Sequence, residues 1–380
     1  MLYLDFAASA PIRTKSLKTL EETTVRDFAN ATASHRFGKE VLKKVESARE
    51  FFLKKLKAQF IYNLIFTSSA TESNNTIIKG LGLTKGEKIF LCQGDHPSLV
   101  VPANNLSKAG ILIQSIPLHS DSTIDEEKFL SLLDDQVKLI LLSQVNNQSG
   151  ILNDCFNLAK KIKKSFKNIH IHIDAVQGFS KFRISLEDGT IDSLSTSSHK
   201  IGGPKGIAGL FIKKGKEPLP LIEGGGQEFG IRSSTLASPL ILSFKEAFED
   251  SMEDHENKFQ QVLSNYLFLR EELKKGIPEI IFPFGNVLNS SPYILVFVIP
   301  KISSDILLRH LESKDIFASS TSACSSKVKG DNTVFKALNL PGEFNKNVLR
   351  VSYDERVSRE ELSEFVGIFE NIYGNLKHLI

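Results

Sequence analysis

Four short stretches of this sequence place a side chain capable of chemistry where an apolar run gives way to small and polar residues. In the first, Tyr62 to Thr67 is followed by Ser68, Ser69, Ala70 and Thr71 and then by an apolar-periodic segment. Free backbone N–H groups at such a helix N-terminus favour a phosphate. In the second, Asp95-His96-Pro97 follows the run Lys88 to Cys92, where an imidazole could stack on a planar ring. In the third, Ile169 to Ile173 ends in Asp174, with Gln177 three residues on; a carboxylate there can keep a pyridine-type nitrogen protonated. In the fourth, Ser197-Ser198-His199-Lys200 leads into Gly202-Gly203-Pro204-Lys205-Gly206, a loop that lets backbone approach a ligand closely beside a lysine amine. Taken singly, each has an ordinary explanation. Ser69 and Glu72 make a helix cap with a first-turn carboxylate, Asp174 caps the next helix, and His96 and Lys200 are solvated loop residues. It is their occurrence together on successive strands that points to a ligand.

The elements that must position them are legible as periodicity. From about residue 60 to 215, β-rich runs (62–67, 88–92, 111–116, 137–143, 169–173 and 207–212) alternate with segments of helical period, the pattern of an α/β domain. Leu139-Ile140-Leu141-Leu142 is apolar on successive residues, as expected of a strand in a mostly parallel sheet covered by helices on both faces. Val41, Val45, Ala48, Phe52 and Leu56 predict an amphipathic helix over 39–57 with a basic, solvated outer face. After Gly224-Gly225-Gly226 a long polar helix is expected over about 240–275, then shorter strands and helices. The expected division is a large domain over 14–255, and a smaller α/β domain over 256–380 that includes the N-terminal segment 1–13.

Composition bounds the function. The chain has 380 residues, 41% hydrophobic and 24% charged, with a formal net charge of +3 spread without a basic block. No nucleic-acid partner is expected. Apolar runs such as Ile294 to Ile299 are too short to cross a bilayer, and Met1 to Asp5 carries no export signal. Cys92, Cys155 and Cys324 are odd in number and without metal-ligand spacing, which fits a reducing cytoplasm.

The motifs carry a resemblance. Phe66-Thr67-Ser68-Ser69-Ala70-Thr71-Glu72-Ser73-Asn74-Asn75, Val145-Asn146-Asn147-Gln148, His172-Ile173-Asp174-Ala175-Val176-Gln177 and Ser198-His199-Lys200-Ile201-Gly202-Gly203 resemble the cysteine desulfurases of the class V aminotransferase group. The likeness runs from Tyr3 to Ser352. It implies a pyridoxal-phosphate enzyme of fold type I, with Lys200 carrying the cofactor as a Schiff base and Asp174 on the pyridine nitrogen. It further implies His96 stacked on the ring, Asn147 and Gln177 bonded to the ring and its phenolic oxygen, and Ala70, Thr71, Ser197 and His199 on the phosphate. Thr235 occupies the place from which the second subunit of a homodimer supplies a phosphate ligand.

The reaction is distinguished by Cys324, in the small, polar stretch Ser319 to Ser326 that reads as an exposed loop and resembles the family's persulfide-bearing one. Arg350, 26 residues later, stands at the place of the substrate-carboxylate arginine, where the ordinary alternative is a surface ion pair with Asp354 or Glu355. The expected reaction takes sulfur from L-cysteine to Cys324 and leaves L-alanine, with His96 a candidate proton carrier. A sulfur-acceptor or scaffold protein, as in iron–sulfur cluster assembly, is an expected partner. The alternatives are an aminotransferase, a selenocysteine lyase, or a binding subunit that has lost catalysis. Ser68-Ser69, Pro97, Gln148-Ser149 and Tyr353-Asp354-Glu355 depart from the family pattern around the site.

Overall fold

The computed structural model describes residues 1–320 and 333–379. Strand β1 (Leu2–Tyr3) precedes helices α1 (Thr14–Arg26) and α2 (Arg36–Lys55). Next come β2 (Tyr62–Thr67), α3 (Ala70–Gly80), β3 (Lys88–Leu91), α4 (Pro97–Leu106), β4 (Leu112–Ser115), α5 (Glu126–Ser131) and β5 (Val137–Ser143). Then follow α6 (Cys155–Ser165), β6 (His170–Asp174), β7 (Ser193–Ser197), β8 (Ala208–Lys213), α7 (Ser238–Met252) and α8 (His255–Gly276). The chain closes with β9 (Ile294–Val298), α9 (Ser304–Glu312), β10 (Ile316–Phe317), α10 (Thr333–Ala337), β11 (Val348–Ser352) and α11 (Arg359–Leu376).

Among the described residues, seven strands form the central sheet in the order β2-β8-β7-β6-β5-β3-β4. Only β8 runs antiparallel to its neighbours β2 and β7; the other pairs are parallel. Both faces are covered, because alternate residues of one strand enter different cores. Ile140 and Leu142 pack with Val45, Phe52, Phe179, Phe244 and Phe248, whereas Leu139 and Leu141 pack with Ile65, Ile77, Ile89 and Leu99. Each fully buried Phe or Leu contributes roughly 1.5–3 kcal/mol relative to exposure. A further core gathers Val262, Tyr266, Leu295, Phe297, Phe365 and Phe369 with Leu4 and Phe6.

Two features differ from the sequence expectation. β7, Ser-Leu-Ser-Thr-Ser, has no apolar pattern, yet all five residues are buried between β6 and β8. Ser193 is accommodated because neighbouring side chains bond it, its Oγ lying 2.8 Å from both His170 Nε2 and His172 Nδ1, whereas Ser195 Oγ is buried with no partner among the described residues. The long polar helix is two helices, broken at Asp254, which sits at φ 51, a left-handed conformation that a short polar side chain tolerates. No helix among the described residues is long and apolar enough to cross a membrane.

The N-terminal segment ties the third core to the sheet. β1 pairs with β10, Ala7 N–H donates to Ser352 Oγ at 2.9 Å, and Ala10 and Arg13 N–H donate to the carbonyls of His199 and Gly202. Arg13, buried, donates through Nε to Ile201 O at 2.9 Å and pairs with Glu355 at 2.7 Å and Asp250 at 3.3 Å.

β2 is an edge strand, so some of its backbone groups lack a strand partner. Arg49 of α2 donates to Leu64 O, and Glu228 accepts from Phe66 N–H at 2.6 Å. The two side chains also pair with each other at 2.8 and 2.9 Å, and both residues are buried. Replacing Glu228 by Ala leaves the edge N–H of Phe66 unpaired and takes from the buried Arg49 guanidinium its buried carboxylate, leaving it the more exposed Glu46, and should lower stability by about 3–5 kcal/mol in urea unfolding. The double variant Arg49→Met, Glu228→Leu should recover part of that loss.

Candidate active site

The C-terminal ends of β5, β6 and β7 lie side by side, with Ser143 opposite Asp174 and Asp174 opposite Ser195. With the start of α3 they open a cavity of about 290 Å³, at the end of the sheet where open α/β folds bind ligands. Ala70, Thr71, His96, Asn147, Asp174, Gln177, Ser197, His199, Lys200 and Arg350 all line it. Thr235 does not, and is exposed on the loop after Arg232. Cys324 lies outside the described residues, while Ser319 and Ser320 stand at the cavity wall.

Lys200 follows β7 in a single tight turn, Ser198–Lys200. Its amine donates to the carbonyls of Ala7 at 2.6 Å and Ala8 at 2.7 Å. Burial pushes its pKa down to about 8, with repulsion from Lys181 and Arg350 adding to the effect and Asp5 and Asp174 opposing it. A free-base fraction is therefore present near neutrality, as a nucleophilic amine requires. Lys181 is itself buried, its amine lying 3.5 Å from Gln177 Oε1 and 5.3 Å from the Tyr293 ring. Burial pushes it down to about 8 as well.

At the other end of the cavity the α3 N-terminus offers backbone N–H groups without intrahelical partners. Ser69 Oγ caps the helix by accepting from Glu72 N–H at 3.1 Å. Glu72 does not oppose an anion there, because its carboxylate is turned to Ser68 N–H at 2.8 Å and to Arg232 Nε at 2.9 Å. Although burial pushes the other way, Arg232 and Ser68 hold its carboxyl below the usual range. The cap of the sequence reading is real and leaves the helix end open to a ligand. His199, with Nδ1 3.3 Å from Ser9 Oγ, is pushed down to about 4 by burial, with Lys200 and Lys205 adding to it.

Asp174 accepts Val176 N–H on Oδ1 at 3.0 Å and Asn74 Nδ2 on Oδ2 at 2.9 Å. Gln177 spends its amide N–H on Ala7 O at 2.9 Å. Arg350 is buried and is not in a surface pair with Asp354 or Glu355. It donates to Asn147 O at 2.8 Å and Asp5 Oδ1 at 2.7 Å, and its Nε–H has no partner among the described residues. Asp354 instead engages Arg356, and Glu355 engages Arg13, so the off-pattern residues after Arg350 fasten the loop that carries Lys200. Pro97 is equally structural: it opens α4 with His96 as the N-cap, where its missing N–H is harmless.

Several residues around the cavity escaped the sequence reading. Asn74 and Ser98 are buried and join Asp174 to His96. Asp95 is buried behind His96, accepts Asn146 Nδ2 at 3.0 Å, and is pushed up to about 7 by burial, with Asn146 and Ser143 opposing and Asp174 adding to the rise. The available signal was a polar residue on a stripe that should be apolar, since Asn74 shares the buried face of α3 with Ile77 and Ile78.

The residues present fit pyridoxal phosphate. An open helix N-terminus with Thr71, Ser197 and His199 suits a phosphate, Asp174 suits a ring nitrogen, and Lys200 offers an amine to an aldehyde, all within one cavity.

The model of the family Aminotransferase class-V matches residues 2–365. A "NifS/IcsS protein homolog" of Lactobacillus delbrueckii subsp. bulgaricus is 30% identical, covering 98% of this chain and 97% of its own. "Cysteine desulfurase IscS" of Rickettsia typhi is 31% identical, covering 100% of this chain and 92% of its own. Among solved structures, a "NIFS-like protein" superposes with a TM-score of 0.88 at 26% identity, over 99% of this chain and 100% of the other. "SspA in complex with cysteine" reaches 0.76 at 26% identity, over 93% and 98%. With a family model spanning nearly its whole length and a cavity whose groups suit the cofactor, the chain belongs to the class-V aminotransferase family, and pyridoxal phosphate is its cofactor.

Proposed function

We propose that the protein is a cysteine desulfurase, which moves the sulfur of L-cysteine to Cys324 and releases L-alanine. The observation that carries this reading is one cavity holding a lysine of depressed pKa, a strand-end carboxylate and a buried arginine with an uncommitted N–H. Its wall includes Ser320, four residues before Cys324, a chain reach of at most about 14 Å. The names of similar proteins, cysteine desulfurases among them, and of a similar structure described as a complex with cysteine support the same reading.

When bound, pyridoxal phosphate supplies an electron sink for a carbanion at the substrate α-carbon. Ala70, Thr71, Ser197 and His199 would hold its phosphate, with Thr235 supplied from the second subunit of a homodimer. Asp174 would keep a proton on the ring nitrogen, His96 would contact the ring, and Asn147 and Gln177 would bond its edge. Arg350 takes the substrate carboxylate. The neutral Lys200 amine removes the substrate α-proton as a base. The Cys324 thiolate then attacks the substrate sulfur. An S–S bond forms from the thiolate's electron pair, the C–S pair remains with the carbon skeleton, and the β-carbon takes up a proton. L-cysteine and a thiol thus become L-alanine and a persulfide, the sulfur oxidised and the carbon reduced.

The same reading divides the chain into a large domain over 14–255 and a small one over 256–380 with segment 1–13. It sets the enzyme in the cytoplasm and hands the persulfide sulfur to an acceptor or scaffold protein. Thr235 is exposed and lies outside this chain's own cavity, as a residue that serves a neighbouring subunit's site would.

Purified protein supplied with L-cysteine and a reducing thiol should release sulfide and alanine in equal amounts, and Cys324→Ala should reduce sulfide to background. Desulfuration at the parent rate by that variant would sink the persulfide route, and preference for L-selenocysteine or L-cysteine sulfinate would redirect the substrate. Arg350→Ala should lower kcat/KM for L-cysteine roughly 10- to 100-fold, the loss of a charge-assisted bond. Lys181→Met removes a positive neighbour of Lys200 and so raises that amine's pKa above about 8, by up to about one unit. Because the deprotonated amine is the reactive form, the pH midpoint for capture of pyridoxal phosphate by the apoprotein should move to higher pH.

A further inference from the structure

A buried chain of hydrogen bonds runs from the sheet interior to the cavity, and the hydrogens along it have one consistent placement. Asp174 Oδ2, as a carboxylate oxygen, accepts from the Asn74 amide at 2.9 Å. This orients that amide, so that its Nδ2 also donates to Ser98 Oγ at 2.9 Å and its Oδ1 faces His172 Nε2 at 3.0 Å. An amide oxygen only accepts, so His172 carries its proton on Nε2 and accepts on Nδ1 from Ser193 O–H at 2.8 Å. Ser193 Oγ in turn accepts from His170 Nε2–H at 2.8 Å. Burial holds both histidines neutral, each pushed down to about 3.

The other branch reaches the cavity. Ser98 Oγ, already accepting from Asn74, turns its own hydrogen to His96 Nδ1 at 2.8 Å, and Ser98 N–H donates to the same nitrogen at 3.1 Å. Two donors therefore converge on Nδ1. A neutral His96 must carry its proton on Nε2, which has no partner among the described residues and belongs to a side chain lining the cavity. Protonating Nδ1 would set a third donor hydrogen against the Ser98 O–H and N–H.

We propose that Asn74 and Ser98 are positioning residues that lock His96 as the neutral Nε2–H tautomer, so that it offers the cavity a hydrogen-bond donor and takes no proton from the substrate. The inference rests on His96 lying at the reacting centre, and it assigns proton transfer to Lys200 in place of the shared role expected from the sequence. The charged groups around His96 act in opposite senses. Enclosure in the cleft pushes its pKa down, Asp174 from β6 pushes it up, and Lys200 from the loop after β7 pushes it down. Arg350 from β11 shares the cavity, and Asp95 is the preceding residue.

The test is nitrogen-15 NMR of the histidine rings in the full-length protein, with and without pyridoxal phosphate, titrated through the neutral range. Wild type should show His96 with a protonated Nε2 and a bare Nδ1. In Ser98→Ala one of the two donors to Nδ1 is gone, and the imidazolium midpoint should rise by about one pH unit, tenfold in the protonation constant. Ser98→Thr, which keeps the hydroxyl, should restore the wild-type value. A protonated Nδ1 in neutral wild type, or an unchanged midpoint in a folded Ser98→Ala, overturns the proposal. The ring signals are read in the apoprotein too, so failure here is distinct from failure to release sulfide from L-cysteine.

Discussion

The position of Lys200 depends on one buried guanidinium. Arg13 reaches Ile201 O beside that lysine, Asp250 at the end of α7 and Glu355 after β11, and so ties three distant parts of the chain together. Its burial would be costly for a lone cation, but the surrounding carboxylates offset the desolvation and hold its pKa up. The N-terminal strap that brings Ala7 and Ala8 over the cavity leads directly into Arg13, and those two carbonyls receive the Lys200 amine. The cavity exists as a site because this strap is fastened at both ends.

Within the cavity, charge and burial divide the work between groups. Lys200, Lys181 and Arg350 place positive charge near a site suited to an anionic cofactor and a carboxylate substrate. Two of the three are amines that burial brings toward neutrality. A guanidinium is planar and presents paired donors, which suits Arg350 to clamp and the amines to exchange protons. The histidines show the complementary solution. His170, His172 and His199 are kept neutral by burial and serve as fixed hydrogen-bonding pieces.

Much of this was legible in the sequence. β2 and β5 have the bounds read from their apolar runs, the cavity-lining lysine, carboxylate and histidine were found by residue type and order, and the arginine through the family resemblance. What was hidden depends on partners distant in sequence. β7 gives no apolar signal because three of its five residues are serines, one of which, Ser193, is bonded by two histidines of β6. Asn74 reads as one more polar residue in a helix until Asp174, His172 and Ser98 are brought around it. The break at Asp254 was lost because charged residues on both sides continue the helical composition. Asp354 and Glu355 looked like departures from a pattern, and only the approach of Arg13 and Arg356 shows what they hold. Cys324 is legible by its type and neighbours alone, since it falls outside the described residues.

The two edges of the central sheet are finished differently. At β2 a salt-bridged pair occupies the backbone groups that another strand would seek, while β4 is left four residues long, with Leu112 partly exposed. A nascent or partly unfolded chain in which α2 has not yet docked lacks the Arg49 plug, and β2, with its apolar Leu64-Ile65-Phe66, becomes a template for strand addition by another copy. Docking of α2 therefore acts as a colloidal safeguard as well as a packing event, and the order in which α2 and β2 come together bears on how much of the chain reaches the native state.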